Sequence, residues 1–267
     1  MSAVDDVKKQ PDEPGSASEL PVALVTGAAT GIGKACAEAL AAKGYQVAMN
    51  YRSQGDAAEK VCEALPGSGH RCYQADVTQP EALADMVQCI QRDYGRIDVL
   101  VNAAGRYTPQ SLDSAGVTDW HNDWLDCMAL NLHAPVNLCY LVAPIMSALG
   151  KGRIINITSR GAFRGEPAAP AYGAAKSALN SATQSLALAL GGRGIAVFAI
   201  APGWTETPSA LPRIAAQGWD GVAAQSPLNR VGRPEEIAAL AAFLAEGDAE
   251  YLTGAIIDAN GASHLRN

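Results

Sequence analysis

The sequence predicts an α/β fold: one doubly wound, all-parallel sheet of seven strands with helices on both faces, in a single domain. Three observations carry this expectation. Short apolar, β-branched runs alternate with longer helical stretches from Pro21 onward, the order that builds strand–helix–strand units. The first such run leads straight into a glycine-rich turn and then a helix. Finally, 48% of the 267 residues are apolar, enough to bury one sizeable core. Right-handed crossovers put the carboxyl ends of all the strands on one edge, where ligands bind in such sheets.

Composition narrows the partners. A net charge of −7 argues against nucleic acid, because phosphate backbones call for a basic surface. No run approaches the ~20 apolar residues of a membrane span. Six cysteines at 36, 62, 72, 89, 127 and 139 form no Cys-x-x-Cys pattern. They read as reduced thiols in a cytoplasmic compartment, with Cys36 and Cys139 as core residues. Four scattered histidines give no metal-ligand spacing. Residues 1–20 combine prolines, acids and few apolar side chains, and read as a disordered tail without a secretory segment.

The first strand, 22–26, is followed by Gly27, Thr30, Gly31, Ile32 and Gly33 and a helix through Ala42. Glycines let backbone approach a pyrophosphate, and the helix start supplies N–H donors and positive dipole. The second strand, 46–53, ends in Tyr51, Arg52 and Ser53. An NAD site places a carboxylate about 20 residues after the glycines, to hold the ribose 2′-hydroxyl. A guanidinium in its stead favours a 2′-phosphate, hence NADP(H). The alternative leaves Arg52 as a solvated loop arginine and admits NAD(H) as well.

A helix over 55–65 precedes a third strand, 71–77, which closes on Asp76 and Val77. Asp76 also suits an N-cap for the next helix, 81–94. The fourth strand, 97–101, leads into Asn102, Ala103, Ala104 and Gly105, then Arg106. One long helix is expected over 119–149, with a kink at Pro135. Asn131 sits in its middle, an unfavoured place for asparagine. The fifth strand, 154–159, delivers Ser159 at its tip, and a helix spans 171–190. A sixth strand, 194–201, leads to Pro202, Gly203, Trp204, Thr205 and Thr207. Residues 208–226 read as a mobile lid, and Trp204 and Trp219 either line an apolar pocket or pack the lid down. A helix opens at Arg233-Pro234, and the last strand covers 251–258.

Tyr172 and Lys176 are four residues apart, so they share one helix face. With Ser159 they form a hydroxyl, a phenol and an amine at one spot. The ammonium is expected to lower the phenol's pKa by favouring its ionised form. Such a trio suits proton transfer to a carbonyl or from an alcohol.

Ser159 thirteen residues before Tyr172-x-x-x-Lys176, together with Gly27-x-x-x-Gly31-x-Gly33, resembles the short-chain dehydrogenase/reductase family over residues 21–261. The resemblance implies a Rossmann-type sheet and a reversible hydride transfer between nicotinamide and a ketone or secondary alcohol. It implies that Ser159 holds the oxygen, Tyr172 moves the proton and Lys176 reaches the nicotinamide ribose. It further implies that Asn131 holds a relay water. On the cofactor side Asp76 accepts from the adenine amino group and Val77 packs on its ring. Asn102, Ala103 and Gly105 stand for the family's Asn-Asn-Ala-Gly turn, with one asparagine replaced. Pro202, Gly203, Thr205 and Thr207 resemble its nicotinamide-side clamp. Asn260-Gly261 stands where the family has a glycine pair.

The chain looks closest to 3-oxoacyl-(acyl-carrier-protein) reductases and NADP-dependent ketoreductases, so the substrate is a small carbonyl compound or a carrier-bound acyl chain. Arg106, Arg160 and Trp204 are its candidate contacts. Arg193 stands at one carrier-docking position, but Gly150 fills the other. Asn50-Tyr51-Arg52-Ser53 also looks like sugar dehydrogenases, so a sugar or polyol dehydrogenase is the alternative enzyme. An idle NADP(H)-binding sensor or scaffold is the alternative of another class, and the complete Asn131, Ser159, Tyr172 and Lys176 set argues against it. The family's habit implies a homotetramer or homodimer.

Overall fold

A computed structural model describes residues 18–112 and 116–266. In chain order the strands are β1 (Val22–Val25), β2 (Gln46–Tyr51), β3 (Arg71–Gln74), β4 (Val99–Asn102), β5 (Gly152–Ile157), β6 (Ile195–Pro202) and β7 (Ile256–Ala259). All seven pair in parallel, in the order β3-β2-β1-β4-β5-β6-β7. The helices are α1 (Gly31–Ala42), α2 (Gly55–Ala64), α3 (Pro80–Tyr94), α4 (Val117–Met128), α5 (Ala134–Leu149), α6 (Gly161–Arg164), α7 (Pro170–Leu190), α8 (Leu211–Gln217), α9 (Trp219–Ala223) and α10 (Pro234–Leu244).

Strand alternation divides the core into two layers. Ala23 and Val25 of β1 join Phe198 and Ile200 of β6 beneath α1 and α10. Val22 and Leu24 join Val197 beneath α3, α5 and α7. Apolar runs buried on both faces are what a fully covered parallel sheet requires. Each fully buried Leu, Ile or Phe contributes roughly 1.5–3 kcal/mol. The polar edge is pinned as well: Asp98 accepts the Val22 N–H at 2.9 Å and pairs with Arg96 at 2.6 Å.

Several expectations change. The tail assigned to 1–20 lies outside the described residues as far as residue 17. Ser18 is tied down, since its N–H donates to Tyr94 O at 2.8 Å and its O accepts from Arg96 at 3.3 Å. The stretch 117–149 is α4 and α5 joined by a π turn, Ala129–His133, and Pro135 falls in the first turn of α5. The irregularity therefore precedes the proline. That stretch is also long and apolar enough, by length and composition, to cross a membrane. Here α5 buries Leu138, Cys139, Val142 and Met146 against the sheet, as a core helix does.

Asp76 is not an N-cap. Its Oδ1 accepts the Thr78 N–H (2.9 Å) and hydroxyl (2.7 Å), while Gln79 occupies the cap position of α3. The last strand begins five residues later than expected, because Gly247–Leu252 forms a 3-10 turn. Asn260 accounts for itself: its side chain closes a turn, donating to His264 O at 3.0 Å and accepting the His264 N–H at 3.3 Å.

Candidate active site

One cleft of about 750 Å³ runs along the carboxyl edge of the sheet. Gly27, Thr30, Gly31, Ile32, Gly33, Arg52, Asp76, Val77, Ala103, Gly105, Pro202, Gly203, Thr205 and Thr207 line it, as do Ser159, Tyr172 and Lys176. Ser53, Asn102 and Asn131 stand outside the lining. Asn102 turns its amide into the core, donating to Asn156 Oδ1 at 2.8 Å and Pro135 O at 3.3 Å. It locks β4 to β5.

The glycine turn fits a dinucleotide by its close packing. A Cβ on Gly33 would stand 2.3 Å from Gly27 O, and Gly27 and Gly31 take φ of +63° and +57°, which glycine adopts without strain. Across the cleft Thr207 lies 3.1 Å from where a Gly31 Cβ would be, so turn and clamp face one another at a pyrophosphate's expected place. Thr26 accepts the N–H groups of Ala103 and Ala104, each at 3.0 Å. Asn50 Nδ2 donates to Ala75 O at 3.1 Å. These two braces escape motif reading, although a polar residue within a buried strand is the available signal. Burial acts to raise the Asp76 pKa, but the Thr78 donors and the Arg52 charge hold it below the usual value.

At the other end Ser159 and Tyr172 both line the cleft, and the Ser159 Oγ accepts the Gly161 N–H at 3.0 Å. Lys176 Nζ donates to Ile157 O at 2.9 Å and lies 5.8 Å from the Tyr172 ring centre. Asn131 clamps the backbone of Arg106, accepting its N–H at 3.2 Å and donating to its O at 3.0 Å. Asn131 also donates to Cys127 O, four residues back, at 3.1 Å. The π turn thus fastens the loop after β4 to the end of α4. A Cβ on Gly105 would lie 3.0 Å from Asn131 Oδ1 and 3.4 Å from Lys176 Nζ, so only glycine leaves that corner open.

The electrostatics reverse one expectation. Burial pushes the Tyr172 phenol up to about 12, eased by the neighbouring Ser159 hydroxyl. Burial likewise brings Lys176 down to about 8. Each group loses more hydration than its neighbour returns, so the ammonium does not bring the phenol below its ordinary value.

Arg106, Arg160 and Trp204 all line the cleft. Arg106 is exposed and donates to Thr108 at 3.2 Å. Arg160 is buried and donates to Gln225 Oε1 at 2.6 Å. Trp204 packs on Ala210, Ile214, Val222 and Val231, which seat α8 and α9 over the site, whereas Trp219 is exposed. Tyr107, Arg164, Glu166 and Arg213 share the lining. Sequence reading did not single these out.

Residues 27–264 match the family described as enoyl-(acyl carrier protein) reductase. The chain is 35% identical over 242 residues to the 3-oxoacyl-[acyl-carrier-protein] reductase of Thermotoga maritima, spanning 90% of this chain and 96% of that one. The chain belongs to the short-chain dehydrogenase/reductase family. It is also 37% identical over 246 residues to the cis-4-hydroxycyclohexanecarboxylate dehydrogenase of Sinomonas cyclohexanicum, spanning 90% and 95% of the two chains. A crystal structure of a dehydrogenase/reductase from Sinorhizobium meliloti superposes with a TM-score of 0.84 at 31% identity, covering 94% of this chain and 97% of that one. As a short-chain dehydrogenase/reductase this protein is an oxidoreductase for CH–OH donors, with a nicotinamide cofactor and a small-molecule substrate.

Proposed function

We propose that this short-chain dehydrogenase/reductase is an NADP(H)-dependent ketoreductase that interconverts a ketone and a secondary alcohol, in the manner of 3-oxoacyl-thioester and general carbonyl reductases. One observation carries the reading: a single cleft joins the glycine turn to Ser159 and Tyr172 beside buried Lys176. When bound, the dinucleotide supplies or takes up the hydride. The chain handles the proton. Ser159 and Tyr172 hold the carbonyl oxygen, Tyr172 protonates it, and Lys176 restores the proton through the polar corner beside Asn131. Consumption of NADPH and NADH with acetoacetyl thioesters, diketones, sugars and steroids tests this directly. No turnover of any carbonyl would overturn it.

Arg52 supports NADP(H), since it is exposed at the mouth of the adenosine end and no carboxylate stands beside it at Tyr51. Arg52→Asp is expected to swing the kcat/KM ratio of NADPH to NADH by about tenfold or more toward NADH, from loss of a charge-assisted phosphate contact. An unchanged ratio would count against the assignment.

A free small molecule is favoured over a carrier-bound chain, because Gly150 leaves the basic docking patch incomplete beside exposed Arg193 and the chain carries −7. We place the enzyme in the cytosol, to which its six free thiols are suited; a tagged chain found outside the cytosol would refute that. A homotetramer is favoured by Tyr140, Leu188 and Tyr251, exposed at 78%, 89% and 103% on α5, α7 and the turn before β7. Light scattering should give about four times the 27.6 kDa chain mass; the single-chain mass would refute it.

A further inference from the structure

We infer that the substrate carries a carboxylate close to its reacting carbon, held by Arg213 together with Arg160; this rests on the ketoreductase reading above. Arg160 is 4% exposed, and its Nη1 is buried without a hydrogen-bond partner. Nε and Nη1 of Arg213 are in the same condition. Three guanidinium nitrogens are therefore withdrawn from water at the substrate end of the cleft, a state that an acceptor of opposite charge relieves. Burial brings the Arg160 pKa down to about 10, with the Arg164 charge adding to the effect and Glu166 opposing it.

Position ties these donors to the chemistry. The Arg213 guanidinium stacks 4.1 Å from the Tyr107 ring centre and 5.5 Å from that of Trp204. The Tyr107 ring centre lies 5.1 Å from that of Tyr172, and the Arg213 charge acts on the Tyr172 phenol. The Tyr107 ring thus contacts both the guanidinium and the phenol ring. Arg160, Arg164 and Arg213 face one carboxylate, Glu166, along the same lining, an excess of two positive charges within a chain of net −7. Glu166 leaves the three nitrogens unsatisfied.

A planar guanidinium fork matches a carboxylate in shape and charge. A neutral sugar supplies no charge to it. The phosphodiester of a carrier hangs a pantetheine arm away from the reacting carbon, too far to serve. The aromatic walls of Tyr107 and Trp204 suit the short carbon skeleton between acid and ketone. The geometry thus points to an oxo acid and its hydroxy acid.

The test compares reduction of 4-oxocyclohexanecarboxylate with that of its methyl ester, and of acetoacetate with acetoacetyl-CoA, using NADPH and NADH. Each free acid is expected to exceed its ester or thioester by about tenfold or more in kcat/KM, and Arg213→Met should bring that ratio toward one, mainly through the acid's KM. Equal or better use of the ester or thioester would overturn the inference, as would a ratio retained in Arg213→Met. A second readout is calorimetric titration of the NADP⁺-loaded wild-type protein with cyclohexanecarboxylate and with cyclohexanemethanol. Selective binding of the acid supports the site, and equal binding or none overturns it. Acid-selective binding with no turnover of any carbonyl would sink the ketoreductase reading and leave the anion site standing.

Discussion

Tyr172→Phe is expected to lower turnover by about 10²-fold or more in both directions while dinucleotide affinity persists. The substitution removes one oxygen and keeps the ring. Packing against Tyr107 at 5.1 Å and beneath Lys176 at 5.8 Å is therefore preserved. What disappears is the phenolic hydroxyl beside Ser159. With burial holding the phenol near 12, that group is fully protonated at neutral pH and ready to donate when a carbonyl is reduced. In oxidation it must first lose its proton, so the rate should climb with pH. Steady-state rates in each direction, set beside fluorescence titration with NADPH, measure the two effects separately. Near-normal turnover in the variant would remove the tyrosine from the proton path. A parallel loss of NADPH binding would instead mean that the ring had shifted.

The strands were legible because their apolar runs have a fixed length and end in recognisable turns. Gly27, Gly31 and Gly33 were legible for a related reason, since their spacing states a backbone requirement that the 2.3 Å approach to Gly33 makes concrete. Asn131 stood out as a misplaced asparagine, yet the π turn around it did not. That turn depends on the side chain bonding Cys127 and Arg106 together, and no period in the sequence records such a bond. Asn102 sat at the correct strand end, but only packing decided that its amide faces Asn156.

The substrate end was the least legible part. Tyr107, Arg164, Glu166 and Arg213 come from three separate segments, and their meeting depends on how α8 and α9 settle on Trp204. The sign of the Tyr172 shift was missed for a similar reason. Sequence supplies the neighbouring ammonium but not the depth at which both groups are buried.

That depth leads to the last expectation, for Lys176. Its folded pKa of about 8 lies below the ordinary 10.5. Between those values the unfolded chain binds a proton that the folded chain does not, so stability rises with pH across that window on this lysine's account. Tyr172, raised to about 12 from 10.0, acts in the opposite sense only above pH 10. The cofactor-free protein should therefore gain about 2 kcal/mol between pH 8 and pH 10 from Lys176, at 1.4 kcal/mol per unit. Lys176→Met should lose that slope in denaturant titrations, with a turnover loss of about 10²-fold. In catalysis the same titration takes away the positive charge beside Tyr172. For reduction, kcat/KM is expected to fall as pH rises through about 8, and Lys176→Arg, which keeps its charge, should carry that limb to higher pH. A stability slope unchanged in Lys176→Met would mean that the buried amine keeps its charge in the folded state. The balance between burial and neighbouring charge drawn for this site would then be wrong.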